Sequence, residues 1–222
     1  LSFDILTFYS PTHEVLFQEH FARSIQLSEG HRLIVSRTPQ RGSGVYYEDG
    51  WRDAVLPKLD LLLDRCQSNV PFAYADCDIR WYQPTSRLLE YVGDCDLAAQ
   101  YDGNNLYCTG LMVFANPLAV RPLIEAMRNL LVRGEKTGDQ LAMDHLLGLP
   151  RWADAPRIKL LPNEFWSFGL QNEKSRPWTP GIPLLPPDRI ITHHANWTKG
   201  IQNKLLMLEQ VHQLVGALKK SA

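Results

Sequence analysis

The sequence predicts an α/β fold: one domain with a mixed, mostly parallel central sheet flanked by helices. Three observations carry that prediction. The chain opens strand–helix–strand, the unit that builds parallel sheets. Further on, short apolar runs of strand length are interleaved with longer segments of helical periodicity. The chain is 222 residues long, 45% hydrophobic and 21% charged, which is ordinary for a globular chain and enough to bury a core without disulfide staples.

Residues 3–8 read as the first strand, bounded by the turn-like Ser10-Pro11-Thr12. A helix is predicted over about 13–25 and a second strand over 31–36. After a loop at Arg41-Gly42-Ser43-Gly44, residues 51–66 read as a helix with Val55, Leu59, Leu62 and Leu63 at helical spacing and Pro57 near its start. Residues 71–74 form a short apolar strand that runs directly into Asp76-Cys77-Asp78. Strands follow at 97–101 and 110–114, then helices at 117–133, which begins with Pro117, and at 138–147. Residues 149–187 are rich in Pro and Trp with little periodicity and read as one long irregular region. A last strand at 189–193 and an amphipathic helix at 203–220, basic at its end through Lys219 and Lys220, close the chain.

Composition excludes several classes. With a formal net charge of -1 and no long basic run, a broad nucleic-acid-binding face is ruled against. Cys66, Cys77, Cys95 and Cys108 form no CxxC pair, so a zinc ribbon is not expected and free thiols in a reducing compartment are. No apolar run approaches the ~20 residues that cross a bilayer. Leu1-Ser2-Phe3-Asp4 has neither the layout of a signal peptide nor an initiator Met. The expectation is a soluble cytoplasmic protein, or a domain excised from a longer chain.

The chemistry centres on Asp76 and Asp78. Residues i and i+2 of an extended segment point to one face. Two carboxylates facing one pocket repel each other unless a cation lies between them. Manganese and magnesium suit such oxygen ligands and also take phosphate oxygens, and open α/β sheets bind ligands at the carboxyl ends of their strands. A D-x-D triplet alone says little, and Asp94-Cys95-Asp96 is a second copy. Only the first directly follows an apolar strand, and the metal is assigned to it.

Ala73-Tyr74-Ala75-Asp76-Cys77-Asp78-Ile79-Arg80-Trp81 resembles the D-x-D strand of GT-A glycosyltransferases. It is most similar to the nucleotide-diphospho-sugar transferase family that includes plant cell-wall xylosyl- and arabinosyltransferases, and more distantly to glycogenin and bacterial lipopolysaccharide galactosyltransferases. Three further segments match in order: Thr109-Gly110-Leu111-Met112-Val113, Gly138-Asp139-Gln140, and His194-Ala195-Asn196 followed by Gly200 and Lys204. Together they span about residues 6–204. Where many relatives carry Asn two residues before the glycine, this chain has Cys108.

The resemblance implies a GT-A, Rossmann-like fold over 1–222, with a nucleotide-binding half at 1–100 and a donor-sugar and acceptor half at 101–222. It implies Mn²⁺ or Mg²⁺ held by Asp76, Asp78 and His194, the last chosen over His193 because His-x-Asn is the family pattern. Residues at opposite parity in a strand face opposite sides, so only one of these two histidines faces the metal. The donor, a UDP-sugar, is expected against Thr7, Phe8, Tyr9, Lys58, Ala75, Cys77, Gly110 and Lys199, with Tyr9 stacking on the base and Lys199 preferred to Lys204 beside the diphosphate. Asp139 and Gln140 are expected to act at the sugar, Trp51 in the core, and Asn163, Glu164, Trp166, Trp178 and Trp197 in acceptor binding or the core. The implied reaction is sugar transfer to a hydroxyl of a glycan or other acceptor, with retention, by way of Asp139 as nucleophile or by same-face attack. The alternatives are a metal-dependent nucleotidyltransferase, against which no phosphate loop is present, and a non-catalytic carbohydrate- or nucleotide-binding protein.

Overall fold

The computed structural model describes residues 3–43, 48, 50–103, 106–148, 155–172 and 176–221, with side chains as far as 218. Gly44 of the expected glycine loop, residues 149–154 and 173–175 of the expected irregular region, and the side chains of Lys219 and Lys220 lie outside the described residues.

The opening unit is β1 (Phe3–Tyr9), a helical stretch, and β2 (His31–Arg37), with β1 and β2 parallel from Phe3 opposite His31 to Tyr9 opposite Arg37. The helical stretch is less regular than its periodicity predicts. A 3-10 turn at Pro11–His13 leads into α1 (Glu14–Leu16), a π-helical turn at Phe17–Phe21, and α2 (Ala22–Ser24). The π turn falls where Phe17 stacks on both Tyr9 and Phe21, at ring separations of 4.6 and 5.9 Å. Packing against β1 overrides ideal winding there.

Next come α3 (Trp51–Arg65), β3 (Phe72–Ala75) and β4 (Ile79–Trp81). Pro57 sits inside α3, deeper than the first turn where its missing N–H would cost nothing, and it leaves the Asp53 carbonyl without a helical donor. A 3-10 segment at Thr85–Tyr91 leads to β5 (Leu97–Tyr101) and β6 (Tyr107–Phe114), then α4 (Pro117–Val132) and α5 (Asp139–Leu147). The expected irregular region holds two strands, β7 (Ile158–Leu160) and β8 (Phe165–Ser167), each too short to show a period. The last strand, β9, is Thr192–His194 rather than 189–193, and α6 (Ile201–Ser221) closes the chain. No helix among the described residues is long and apolar enough to cross a membrane.

The main sheet has six strands in the order β2-β1-β3-β6-β5-β7, and β6 alone runs against the rest. This is the mixed, mostly parallel sheet the sequence predicts. The alternation along β3 divides the core. Phe72 and Tyr74 face α3 and α4, among Leu6, Leu59, Leu62, Met112 and Leu123. Ala73 and Ala75 face the opposite layer of Ile5, Phe21, Trp81 and Phe165. Phe72 stacks on Phe114 of β6 at 4.3 Å. Buried aromatics of this kind contribute roughly 1.5–3 kcal/mol each by removing apolar surface from water.

The sequence does not foreshadow the second sheet, β4-β9-β8. Its central pairing is antiparallel, with Ile79 opposite His194, Arg80 opposite His193 and Trp81 opposite Thr192. Behind it, α6 packs Met207, Leu208 and Val211 against Trp166 and Trp178.

The second D-x-D copy is structural. Asp94 is exposed, whereas Asp96 accepts the Arg157 backbone N–H at 2.9 Å and the Asn116 side-chain amide at 3.1 Å. It thereby ties the β5 entry to β7 and to the start of α4. The Arg157 guanidinium, 3.2 Å away, and these N–H donors hold its carboxyl at about 2, below the ordinary 3.8. A carboxylate whose pKa is depressed by folding adds stability that is present above its ordinary value and lost as pH falls through the folded one. The melting temperature should therefore fall between about pH 4 and pH 2 more steeply in the wild type than in Asp96→Asn. Thermal melts at both pH values check this, and parallel falls would remove Asp96 from the account.

Candidate active site

At the carboxyl ends of β1, β3 and β5 lies a cavity of about 450 Å³. Asp76 and Asp78 are on its floor, but in a turn rather than in extended chain. The Ile79 N–H donates to the Asp76 carbonyl at 3.2 Å, and Asp76 N–H donates to Gly110 O at 2.7 Å. Both carboxylates still face the cavity, because the turn is pinned at each end. Ala195 N–H donates to the Asp78 carbonyl at 3.1 Å and so fixes the turn to the residue after β9.

His194 completes the group. Its Nε2 lies 3.3 Å from Asp78 Oδ1 and 3.8 Å from Asp76 Oδ2. Its Nδ1 faces Gln100 Oε1 at 2.9 Å and Cys108 Sγ at 3.5 Å. Gln100 is itself fixed by donation to the Phe165 carbonyl at 2.9 Å, so the imidazole is oriented from behind and Nε2 is left for the carboxylates. His193 faces the other way, fully buried and 4.9 Å from the Trp166 ring. Burial pushes it down to about 3.

One ligand atom from each of Asp76, Asp78 and His194 lies within 4.8 Å of the others. Two carboxylate oxygens and an imidazole nitrogen suit a divalent ion such as Mn²⁺ or Mg²⁺. Gly110 supplies the room. A Cβ there would stand 2.1 Å from His194 Cε1 and 2.9 Å from Asp76 Oδ2, so no side chain fits.

Two lysines enter the same group. Buried Lys58 lies 2.7 Å from Asp139 Oδ2 and 3.6 Å from Asp76 Oδ1, and donates to the Thr109 carbonyl at 2.8 Å. Burial alone would discharge it, but Asp139 and Asp76 outweigh that and hold its pKa up. Lys204 of α6 pairs with Asp78 Oδ2 and donates to the Ala195 carbonyl at 3.0 Å. Burial raises Asp76, whose acidity Lys58 only partly restores. Asp78 is held well below the carboxylate range against burial by Lys204 and His194. His194 is raised well above its ordinary value by Asp78 against the pull of burial, and binding a metal requires it to give up that proton. Tyr74 adds a hydroxyl that donates to Asp76 Oδ1.

At the far side, buried Asp102 accepts from Gln140 Nε2 at 2.7 Å, from the Asn196 amide and from the Trp197 indole. Trp197 lines the cavity with φ 51, and it is the one non-glycine residue with positive φ among those described.

Of the residues expected at the donor, Phe8, Tyr9, Lys58, Cys77, Gly110 and Lys199 line the cavity, as do Asp139 and Gln140. Thr7 and Ala75 are fully buried behind its wall. Lys199 lies exposed at the rim, whereas Lys204, ranked behind it from sequence, reaches the centre. Trp51 lines the cavity instead of sitting wholly in the core. Trp166 and Trp178 are core residues, and Glu164 lines a separate surface pocket. Sequence reasoning missed Gln100 and Asp102. For Asp102 a signal existed: it directly follows β5 as Asp76 directly follows β3, and the two strands run the same way.

This fold is the one found in solved glycosyltransferases. The chain is similar to the glycosyltransferase GlyE of Streptococcus pneumoniae TIGR4, with a TM-score of 0.53 and 14% identity over 87% of this chain and 54% of that one. It is also similar to the WbbM bifunctional glycosyltransferase, with a TM-score of 0.57 and 10% identity over 87% of this chain and 45% of that one. A third similar structure is a glycosyltransferase involved in glycosylation of the major capsid of PBCV-1, with a TM-score of 0.55 and 8% identity over 94% of this chain and 100% of that one. The chain spans about half the length of the first two. At such identities the likeness is one of fold. Residues 19–208 match the sequence profile of the nucleotide-diphospho-sugar transferases, and the chain belongs to that family. No curated protein sequence matches it.

Gly110→Ala tests the geometry. The added methyl should displace the His194 ring and weaken Mn²⁺ binding roughly tenfold or more while the fold survives. Mn²⁺ titration with a circular-dichroism melt checks it; unchanged affinity would mean that His194 does not need the space.

Proposed function

We propose that this chain is a metal-dependent glycosyltransferase that moves a sugar from a UDP-sugar to a hydroxyl of a glycan, with retention of configuration. The observation that carries the reading is the convergence of Asp76, Asp78 and His194 at the floor of a cavity large enough for a nucleotide-sugar. Family membership supports the donor class.

In this reading Asp76, Asp78 and His194 hold Mn²⁺ or Mg²⁺. Such an ion, when bound, supplies Lewis-acid stabilisation of a departing diphosphate. Phe8 and Tyr9 line the nucleotide end, with Thr7 and Ala75 supporting them from behind. Lys204 and Lys199 balance the phosphate charge. Gly110 lets the donor approach the backbone, with Cys77 alongside it on the turn. Gln140, Asn196 and Asp102 offer donors and an acceptor for sugar hydroxyls.

Of the two carboxylates proposed near the sugar, Asp102 already accepts from Gln140, Asn196 and Trp197, and Asp139 is engaged by Lys58 at 2.7 Å, an ion pair that lowers its pKa against burial. The proposed part of Asp139 is to hold Lys58 charged beside Asp76. That favours same-face attack over a covalent sugar–Asp139 intermediate. The bond from the anomeric carbon to the diphosphate oxygen breaks, the acceptor oxygen bonds to that carbon from the same side, and the acceptor proton passes to the leaving phosphate oxygen.

Calorimetric titration with UDP, first with Mn²⁺ and then with EDTA, tests the reading. UDP should bind only with the metal. Asp78→Ala should weaken that binding about a hundredfold or more, and Cys77→Ser should leave it nearly unchanged. UDP binding that ignores both EDTA and Asp78→Ala would overturn the assignment.

A further inference from the structure

Two lysines stand among three carboxylates at the site. Asp76, Asp78 and Asp139 face Lys58, Lys204 and His194, all within one buried group of ion pairs. Lys204 reaches this group from late in the chain. It comes from α6, after β9, and its long side chain reaches back to Asp78 Oδ2 and the Ala195 carbonyl. Lys58 is instead held by Asp139 at 2.7 Å and the Thr109 carbonyl at 2.8 Å, with Asp76 3.6 Å away. Asp78 Oδ1 faces His194, so Lys204 holds the other oxygen of the same carboxylate.

We propose that Lys204 is a stand-in cation. It pairs with Asp78 while the site is empty, opposes the entry of a bare divalent ion, and moves its charge to the nucleotide diphosphate when metal and nucleotide arrive together. The inference rests on the donor class proposed above. Its physical basis is Coulombic. A divalent ion entering alone is repelled by two lysines in a medium of low dielectric. A divalent ion that enters with a diphosphate brings compensating negative charge, and Lys204 exchanges Asp78 for a phosphate partner. Metal and nucleotide affinities are then linked, each raising the other by the same factor. Lys204 acts here as a positioning residue, through Asp78 and the phosphates.

The test compares wild type with Lys204→Met and Lys204→Arg. Mn²⁺ alone is followed by electron paramagnetic resonance, and UDP binding to Mn²⁺-saturated protein by calorimetry. In Lys204→Met, Mn²⁺ alone should bind at least about tenfold more tightly, and UDP at saturating Mn²⁺ at least about tenfold more weakly. Lys204→Arg, which keeps the charge, should restore both toward wild type. A loosened site would weaken both ligands, so the opposite signs separate this role from a structural one. Should the methionine variant not fold, Lys204→Gln, which keeps a donor for the Ala195 carbonyl, gives the same reading. Mn²⁺ binding that is unchanged or weaker without the lysine charge would overturn the proposal. If wild type with Mn²⁺ binds no UDP, the donor assignment itself falls, whatever the metal-only titrations give.

Discussion

The pairing of β4 with β9 is the constraint on which the site depends. Ile79 stands opposite His194, and the Asp78 carbonyl takes the next N–H along, from Ala195. This ladder brings a turn from the middle of the chain against a strand more than a hundred residues later. Strand side chains alternate, so a slip of one residue would exchange His194 for His193. The surroundings forbid the exchange. His193 belongs to an apolar layer with Trp166, while His194 has Gln100 behind it and carboxylates before it. The strands are only three residues long, so register is held by what the side chains meet rather than by the number of ladder bonds.

Around that seam the chain buries charge. Lys58, Asp78, Asp139 and His194 are all buried, each within reach of an opposite charge. Buried ion pairs are weak contributors to stability, since desolvation offsets most of the attraction, and an apolar replacement of equal shape is often no worse. Breaking one pair is different, because the survivor is left charged and unpartnered. Such a cluster is therefore not what holds the fold together. The hydrophobic layers on either side of β3 supply the fold.

Much of this was legible in the sequence because it is local. The strand–helix–strand opening, the apolar strand into Asp76-Cys77-Asp78, the glycine at 110 and the histidine motif all sit where their patterns place them. The sequence conceals whatever depends on distance. Lys204 lies 126 residues from Asp78, so no spacing rule ranks it above Lys199. β4, β7 and β8 are three residues each, below the length at which alternation can be counted. The irregular reading of 149–187 missed β7 and β8 for that reason. The helix at 13–25 has helical periodicity, but aromatic stacking on β1 rewinds it into a π turn. Trp166 and Trp178 differ from Trp197 only in what surrounds them, which no residue type reveals.

Trp197 has a consequence of another kind. A non-glycine residue in the left-handed region costs roughly 1–2 kcal/mol, and Trp197 is held there by its carbonyl, which accepts the Trp178 N–H at 2.6 Å, and by an adjacent bridge between Trp178 and Thr198. Glycine would adopt that backbone freely. Its indole, however, forms part of the cavity wall and reaches Asp102. The indole also packs on the layer of Trp166 and Trp178, so the ring that shapes the wall is what keeps the backbone in its strained turn, and the wall's shape and the loop's path cannot be changed separately at position 197.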